Sequence, residues 1–272
     1  VELTAWAKLT LTLRVTGVRS DGYHLLECEM VTLDLADSLL VGDGDSLAVV
    51  TEPPLAAISP VHDDTGPQPD AVLSGPDNLV SRALEATGRS ARVELVKRIP
   101  PGAGLGGGSA DAAALLRWAG RLDASLAAGL GADVPFCIQG GRAMVRGIGE
   151  EITPLPFEER NFVLLLLPFG VATGAVYREW DELARCGALP TPAAASNDLE
   201  EAALRVEPRL VPWRNALAEA SGQRPRLAGS GSTWFIEGEP DQSGLQASQW
   251  LYVGDERALL VPVTTTPPLH QD

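Results

Sequence analysis

Cysteine is scarce in this chain. Cys28, Cys137 and Cys186 stand far apart, a spacing that excludes both a disulfide framework and a zinc-binding pattern. Long apolar runs are missing as well. The best of them, 162–168, has the length of a buried strand, so no membrane-spanning helix is expected. Positive charge is short: 21 Lys and Arg face 36 Asp and Glu, a net charge of −15. So acidic a surface repels nucleic acid and anionic membranes, and neither is expected as a partner. An anionic substrate has to be held by local donors against that field. The first residues carry no secretory or transit signature. A soluble cytoplasmic protein is expected, a monomer or weak homodimer. Scarcest of the bases is lysine. Only Lys8 and Lys97 occur, and every other base is arginine. An ammonium is a compact charge whose pKa can be tuned, which a guanidinium does not offer, so both lysines are candidates for function.

What is present supports a globular fold. The chain has 272 residues, 45% of them hydrophobic, enough for a full core in one large or two ordinary domains. Residues 3–15, LTAWAKLTLTLRV, alternate, which predicts a strand with Leu3, Ala5, Ala7, Leu9, Leu11, Leu13 and Val15 on the apolar face and Lys8 on the other, where it either meets water or serves the function. A turn is predicted at Ser20-Asp21-Gly22, and strands at 31–35, 47–50, 91–99, 142–146, 151–155, 162–167, 232–237, 250–253 and 258–263. Helices are predicted at 77–88, 110–120, 124–129, 174–185, 197–205 and 208–221. The proline- and aspartate-rich stretch 53–76 is expected to be a long surface loop, and the tail TTTPPLHQD to fray. His62 and His270 fall in that loop and tail and receive no role. Strands and helices mix without a regular βαβ rhythm, which predicts an α+β fold in two domains, 1–156 and 157–272, divided near Pro156.

The densest signal is GAGLGGGSADAA at 102–113, five glycines in seven positions before a helical run. Gly102, Gly104 and Gly107 satisfy a dinucleotide fingerprint, but Pro100 and Pro101 separate them from the preceding strand and the βαβ context is missing. A Walker loop fails because no Lys-Ser/Thr closes the glycines. The remaining reading is a phosphate cradle in which bare N–H groups lead into a positive helix terminus. Ser109 sits where an N-cap belongs. It either caps the helix or serves a phosphate or its Mg²⁺. Asp111 in the first turn is expected to point away from a phosphate or to lie near a metal.

These residues resemble a known family. PPGAGLGGGSADAA is similar to the phosphate-binding signature of the GHMP kinases, named for galactose, homoserine, mevalonate and phosphomevalonate. AWAKLTLTLRV (5–15) and RLAGSGSTWF (226–235) resemble their first and third motifs. RSDGYHLL, NLVSRA, GLGADVPF, GIGEEITPL and SNDLE, at 19, 78, 129, 147 and 196, narrow the resemblance to the 4-diphosphocytidyl-2-C-methyl-D-erythritol kinase family, over about residues 5–240. The resemblance implies the two-domain GHMP kinase fold: an N-terminal domain like domain 2 of ribosomal protein S5, a ferredoxin-like C-terminal domain, and a cleft between them. It also implies transfer of the γ-phosphate of ATP, with Mg²⁺, to the 2-hydroxyl of a cytidylyl-containing diphosphate.

By the same resemblance Asp133 is the carboxylate that takes the hydroxyl proton, and Lys8 the cation that polarises the acceptor. Pro100, Gly102, Ala103, Gly104, Leu105, Gly106, Gly107, Gly108 and Ser109 match the phosphate loop, with Ser109 at the metal. Asn78 and Lys97 match positions near the adenine. Tyr23 and His24 suit a pyrimidine, one by stacking and the other by hydrogen bonding. Tyr177 supplies a second aromatic face, Thr173 touches the substrate, and Gly229, Ser230 and Gly231 close the cleft. Thr10 stands where the family usually has asparagine, and Ala110 where a second serine is common. A mevalonate-, homoserine- or sugar-type kinase, a non-catalytic nucleotide-binding relative and a dinucleotide oxidoreductase are the competing readings.

Overall fold

Two long strands carry the first half of the molecule. A computed structural model describes residues 1–58, 77–189, 196–239, 245 and 249–269. In it β1 (Glu2–Val18) and β2 (His24–Gly42) form an antiparallel hairpin around the predicted turn. The start of β2 pairs with β5 (Arg142–Gly147), and its end pairs with β4 (Arg92–Lys97). β3 (Ser46–Thr51) runs parallel to β4, and β6 (Glu151–Pro154) lies outside β5. The predicted strand at 31–35 is thus the middle of a much longer one.

The alternation of β1 is broken, and both of its faces are buried around Lys8. Register shifts fall between Trp6 and Lys8, Thr10 and Thr12, and Val15 and Gly17. A slip of one residue exchanges the two faces of a strand. Ala5 and Leu13 accordingly join one core, while Ala7, Leu9 and Leu11 join another. Between the first two bulges, Lys8 and Thr10 therefore face the interior. They are 5% and 3% exposed, not turned to water.

Helices cover that face. α1 (Leu55–Ile58) instead packs Leu55 and Ile58 into the opposite core with Ala7, Leu9 and Leu11; the covering helices are α2 (Leu79–Thr87), α3 (Gly107–Trp118), α4 (Ala124–Leu130) and α5 (Val134–Gln139). α1 occupies the start of the expected loop; the rest of that loop, 59–76, lies outside the described residues. α5 is absent from the sequence reading, because two glycines and Pro135 bracket it, although proline is favoured in a first turn. A second sheet follows in the order β10 (Trp250–Val253), β11 (Glu256–Thr264), β7 (Asn161–Leu166), β9 (Trp234–Glu237), β8 (Arg226–Leu227). Its helices are α6 (Thr173–Arg185), α7 (Glu200–Val206) and α8 (Leu210–Ser221). The apolar run 162–166 is its buried central strand. Two sheets with segregated helices agree with the predicted α+β class. No helix among the described residues is long and apolar enough to cross a membrane.

The tail does not fray as far as it is described. The Thr264 N–H donates to Asp34, the Thr265 N–H to the Arg160 carbonyl, the Thr266 N–H to that of Thr32 and the Leu269 N–H to that of Gln139. Pro268 lies so close to Gly141 that a Cβ there would stand 2.7 Å from its Cγ. Backbone pairing outweighs the disorder suggested by polar, proline-rich composition. His270 lies outside the described residues, as does His62.

Candidate active site

The glycine loop, the first two strands, the start of α6 and the turn after β8 enclose a cavity of about 390 Å³. Pro100 to Gly104, Gly106 to Ser109, Lys8, Thr10, Asp133, Thr173, Tyr177, Gly229 and Ser230 all line it. Leu105 lies behind, fully buried, and its carbonyl accepts the N–H of Lys8 at 2.9 Å.

Packing demands most of the glycines. Gly102, Gly104 and Gly106 have φ of 66°, 77° and 69°, values that L side chains disfavour. A Cβ on Gly104 would lie 2.0 Å from the Ala228 carbonyl oxygen, and one on Gly106 2.8 Å from Cγ of Lys8. One on Gly107 would strike Ile99 at 2.9 Å. The loop is therefore threaded between the Lys8 stem and the turn of the second sheet. Neighbouring backbone and side chains therefore require Gly104, Gly106 and Gly107.

α3 begins earlier than predicted, at Gly107, with Gly106 as N-cap and no capping side chain. Ser109 is thus inside the first turn and does not cap. Its hydroxyl stands near Gly131, 3.6 Å from where a Cβ would be. The first N–H groups of a helix have no internal acceptor. Here they face the cavity at the positive end of the dipole, an arrangement suited to an anion. Asp111 turns away from it, as expected, but into an ion-pair cluster. Its carboxylate receives Lys97 Nζ at 2.7 Å, and Lys97 also pairs with Asp37. Burial raises the Asp111 carboxyl against the pull of Lys97. Burial alone would lower Lys97, but Asp111 and Asp37 outweigh it and raise the ammonium. Lys97 is 4% exposed, lies beneath α3 and does not line the cavity. Its ammonium is engaged by the Asp37 and Asp111 carboxylates rather than turned into the cavity. Asn78 caps α2 by accepting the Val80 N–H at 2.8 Å, beside cavity-lining Leu79.

Lys8 and Asp133 meet across the cavity, Nζ to Oδ2, at 3.2 Å. Lys8 Nζ also donates to Thr10 Oγ1 at 3.1 Å, so threonine supplies an acceptor at this position. Asp133 stands at the start of α5 without capping it. The turn at Gly149 supports its backbone, since a Cβ there would lie 2.1 Å from the Ala132 carbonyl oxygen. Thr173 and Ser230 share a hydrogen bond of 2.9 Å between their hydroxyls. Gly231 lies behind them and does not line the cavity. Among the described lining residues Lys8 is the one cation. Cys28 also lines the cavity. Burial pushes its thiol up to about 12, which leaves it inert as a nucleophile.

A second cavity of about 520 Å³ adjoins the first through Leu26, Ala132 and Tyr177. Tyr23, His24 and Asp181 line it. The His24 ring lies 4.7 Å from that of Tyr177 and 5.4 Å from that of Trp180, and its Nε2 is 2.8 Å from Asp181 Oδ1. Tyr23 is 60% exposed. Burial raises the Tyr177 hydroxyl. Trp180, Asp181 and Asn197 escaped the sequence reading. The first two follow Tyr177 on one face of α6. Asn197 lies inside the SNDLE segment, where nothing local marks out its side chain.

A phosphate-ready helix terminus beside a lysine–carboxylate pair, with an aromatic annex, invites comparison with known proteins. The family profile described as GHMP kinases N terminal domain matches residues 78–141. A crystal structure of 4-(cytidine 5'-diphospho)-2C-methyl-D-erythritol kinase covers 97% of this chain and 99% of its own, with TM-score 0.68 and 33% identity. A mevalonate kinase from L. major, at 12% identity and TM-score 0.64, shares the fold over 98% of this chain and 96% of its own. The 4-diphosphocytidyl-2-C-methyl-D-erythritol kinase of Paracoccus denitrificans is 40% identical over 84% of each chain, and that of Ruegeria pomeroyi 37% over 86% of this chain and 88% of its own. The fold is that of the GHMP kinases, and the molecule is a small-molecule phosphotransferase. Within that class, the chain belongs to the 4-diphosphocytidyl-2-C-methyl-D-erythritol kinase family.

Proposed function

We propose that this protein uses ATP to phosphorylate the 2-hydroxyl of 4-diphosphocytidyl-2-C-methyl-D-erythritol, a step of isoprenoid precursor synthesis. The observation that carries the chemistry is the 3.2 Å Lys8–Asp133 pair facing the open N-terminus of α3. In the proposed reaction the acceptor oxygen attacks the γ-phosphorus as the bond to ADP breaks, and the hydroxyl proton passes to Asp133. Lys8 offsets the charge that develops on the oxygen. Such transfer depends mainly on positioning and electrostatics. The N–H groups of Gly107, Gly108 and Ser109 hold the polyphosphate, with Gly102 to Gly106 shaping its path. Asn78 stands toward the adenine. His24, Tyr23 and Tyr177 receive the cytosine in the second cavity, whose continuity with the first suits a substrate with a base at one end and an alcohol at the other.

Mg²⁺ fits this site as a companion of the nucleotide. No cluster of three His, Cys, Asp or Glu among the described residues makes a metal cage, and Mg²⁺ commonly rides on substrate phosphates with one or two protein oxygens and several waters. Ser109, in the first turn of α3 at the cavity wall, would hold it together with the phosphates. When bound, the ion neutralises phosphate charge.

The proposal includes a division into domains 1–156 and 157–272, near the change of sheet between Pro154 and Asn161. It also includes a cytoplasmic location and a monomer or weak homodimer without nucleic-acid or membrane partners. ADP release with a panel of acceptor alcohols tests it. Turnover is expected with the cytidylyl acceptor alone. Equal turnover with mevalonate or homoserine, or none with any acceptor, refutes it.

A further inference from the structure

Asn197 touches neither cavity, yet its side chain is fully engaged. It is 3% exposed and sits just before α7. Its Nδ2 donates to the carbonyls of Leu227 at 3.0 Å and Gly229 at 2.7 Å, and its Oδ1 accepts the Leu199 N–H at 2.9 Å. Those two carbonyls bracket the start of the glycine turn whose Gly229 and Ser230 line the active-site cavity. A Cβ on Gly229 would stand 3.6 Å from Lys8 Nζ and 3.9 Å from Thr10 Oγ1. The turn is therefore packed directly against the ammonium.

The segment that holds Asn197 is itself locked to β1, the strand that carries Lys8. The Leu13 N–H donates to the Ser196 carbonyl at 2.9 Å, and the Asp198 N–H returns a bond to Leu13 at 3.0 Å. The Asp198 carboxylate accepts Arg14 Nη1 at 2.6 Å and the Val15 N–H at 3.0 Å. A closed path runs from Lys8 along β1, through 196–198 and the Asn197 amide, to Gly229 and back to Lys8.

We infer that Asn197 is a positioning residue: acting through two backbone carbonyls, it sets the glycine turn of the second sheet at its working distance from the Lys8–Asp133 pair. The position calls for an amide, because only that group of this size offers two donors and an acceptor together. A carboxylate of the same shape would aim oxygens at both carbonyls. Alanine would leave both buried carbonyls short of a partner. The kinetic consequence rests on the kinase function proposed above; the structural one does not.

The full chain is compared with Asn197→Ala and Asn197→Asp by hydrogen exchange, thermal unfolding and steady-state kinetics with ATP and the cytidylyl acceptor. Exchange in 227–233 is expected to rise in both variants while β4 and β5 stay protected. Turnover per folded molecule is expected to fall about 10- to 100-fold, as displacements of this kind do, with both KM values changed less than about threefold and aspartate no better than alanine. A merely structural residue would lower the unfolding temperature while leaving turnover per folded molecule intact, and that result overturns the inference. So does an aspartate variant equal to wild type. If alanine yields too little folded protein, Asn197→Ser, too short to reach both carbonyls, is judged by the same criteria. A wild-type enzyme that does not phosphorylate the acceptor counts against the proposed function instead. Exchange at 227–233 then decides alone, and an unchanged pattern overturns the inference.

Discussion

Gly104→Ala puts the threading of the phosphate loop to a quantitative test. Position 104 has φ of 77°, and an L-residue held in that region costs about 1–2 kcal/mol. The added Cβ would also meet backbone on three counts: the Ala228 oxygen at 2.0 Å, the Ala228 carbonyl carbon at 3.0 Å and the Gly231 oxygen at 3.1 Å. Backbone cannot swing aside as a side-chain tip does, so the loop and the facing turn must separate. Overpacking of this kind costs about 1–3 kcal/mol. Together the two effects predict a loss of about 2–5 kcal/mol, a large part of the 5–15 kcal/mol typical of a domain. Separation by about 1 Å also misaligns the cradle with Lys8, for which about a 100-fold loss of turnover is expected. Denaturant unfolding and ADP release measure the two effects separately. Gly108→Ala is the control. Its φ is not positive, its nearest contact is Leu79 Cδ1 at 3.4 Å, and it lies in the first turn of α3. Alanine there is expected to raise stability by up to about 1 kcal/mol. A Gly104→Ala protein with the unfolding midpoint and turnover of wild type would refute the packing account of the loop.

Asp133→Asn and Lys8→Ala are each expected to lower turnover by about two to four powers of ten while leaving the fold intact; near-normal rates would show that the acid–base roles are misassigned. Lys97→Ala is expected to reduce stability by about 3–5 kcal/mol, because it leaves Asp37 and Asp111 buried without their cation, and calorimetry or denaturant unfolding reads this directly. The Lys97 ammonium is raised above its usual 10.5 in the folded protein, so its stabilisation is fully present below pH 10.5 and is lost as pH climbs through the folded value. A wild-type stability curve with no alkaline decline beyond that of the Lys97 variant would contradict the pairing. Tyr23→Ala is expected to weaken acceptor binding by about 1–3 kcal/mol without changing the nucleotide KM, and unchanged acceptor affinity would remove Tyr23 from the site.

The outline of the fold and the cradle were legible in the sequence because they rest on local signals. A run of glycines before an alanine-rich helix, an apolar strand at 162–167 and the Asn78 cap of α2 depend only on neighbours in the chain. The same signals left open whether Lys8 meets water or the interior, because a β-bulge leaves no mark on an alternating pattern and yet reverses which face each later residue takes. They gave no sign that two carboxylates, from β2 and α3, claim Lys97. They expected the tail to fray, although β2 and α5 hold it by their backbone.

By itself, then, the sequence determined which elements form, where the glycine-rich turn falls and which residue types are available for phosphoryl transfer. Only the tertiary structure decided which of those residues meet. The Lys8–Asp133 contact, the withdrawal of Lys97 and the hold of Asn197 on the second turn each join segments distant in the chain. Contacts of that kind are set by strand register and by the packing of one sheet against the other, and neither is written in any local stretch of residues.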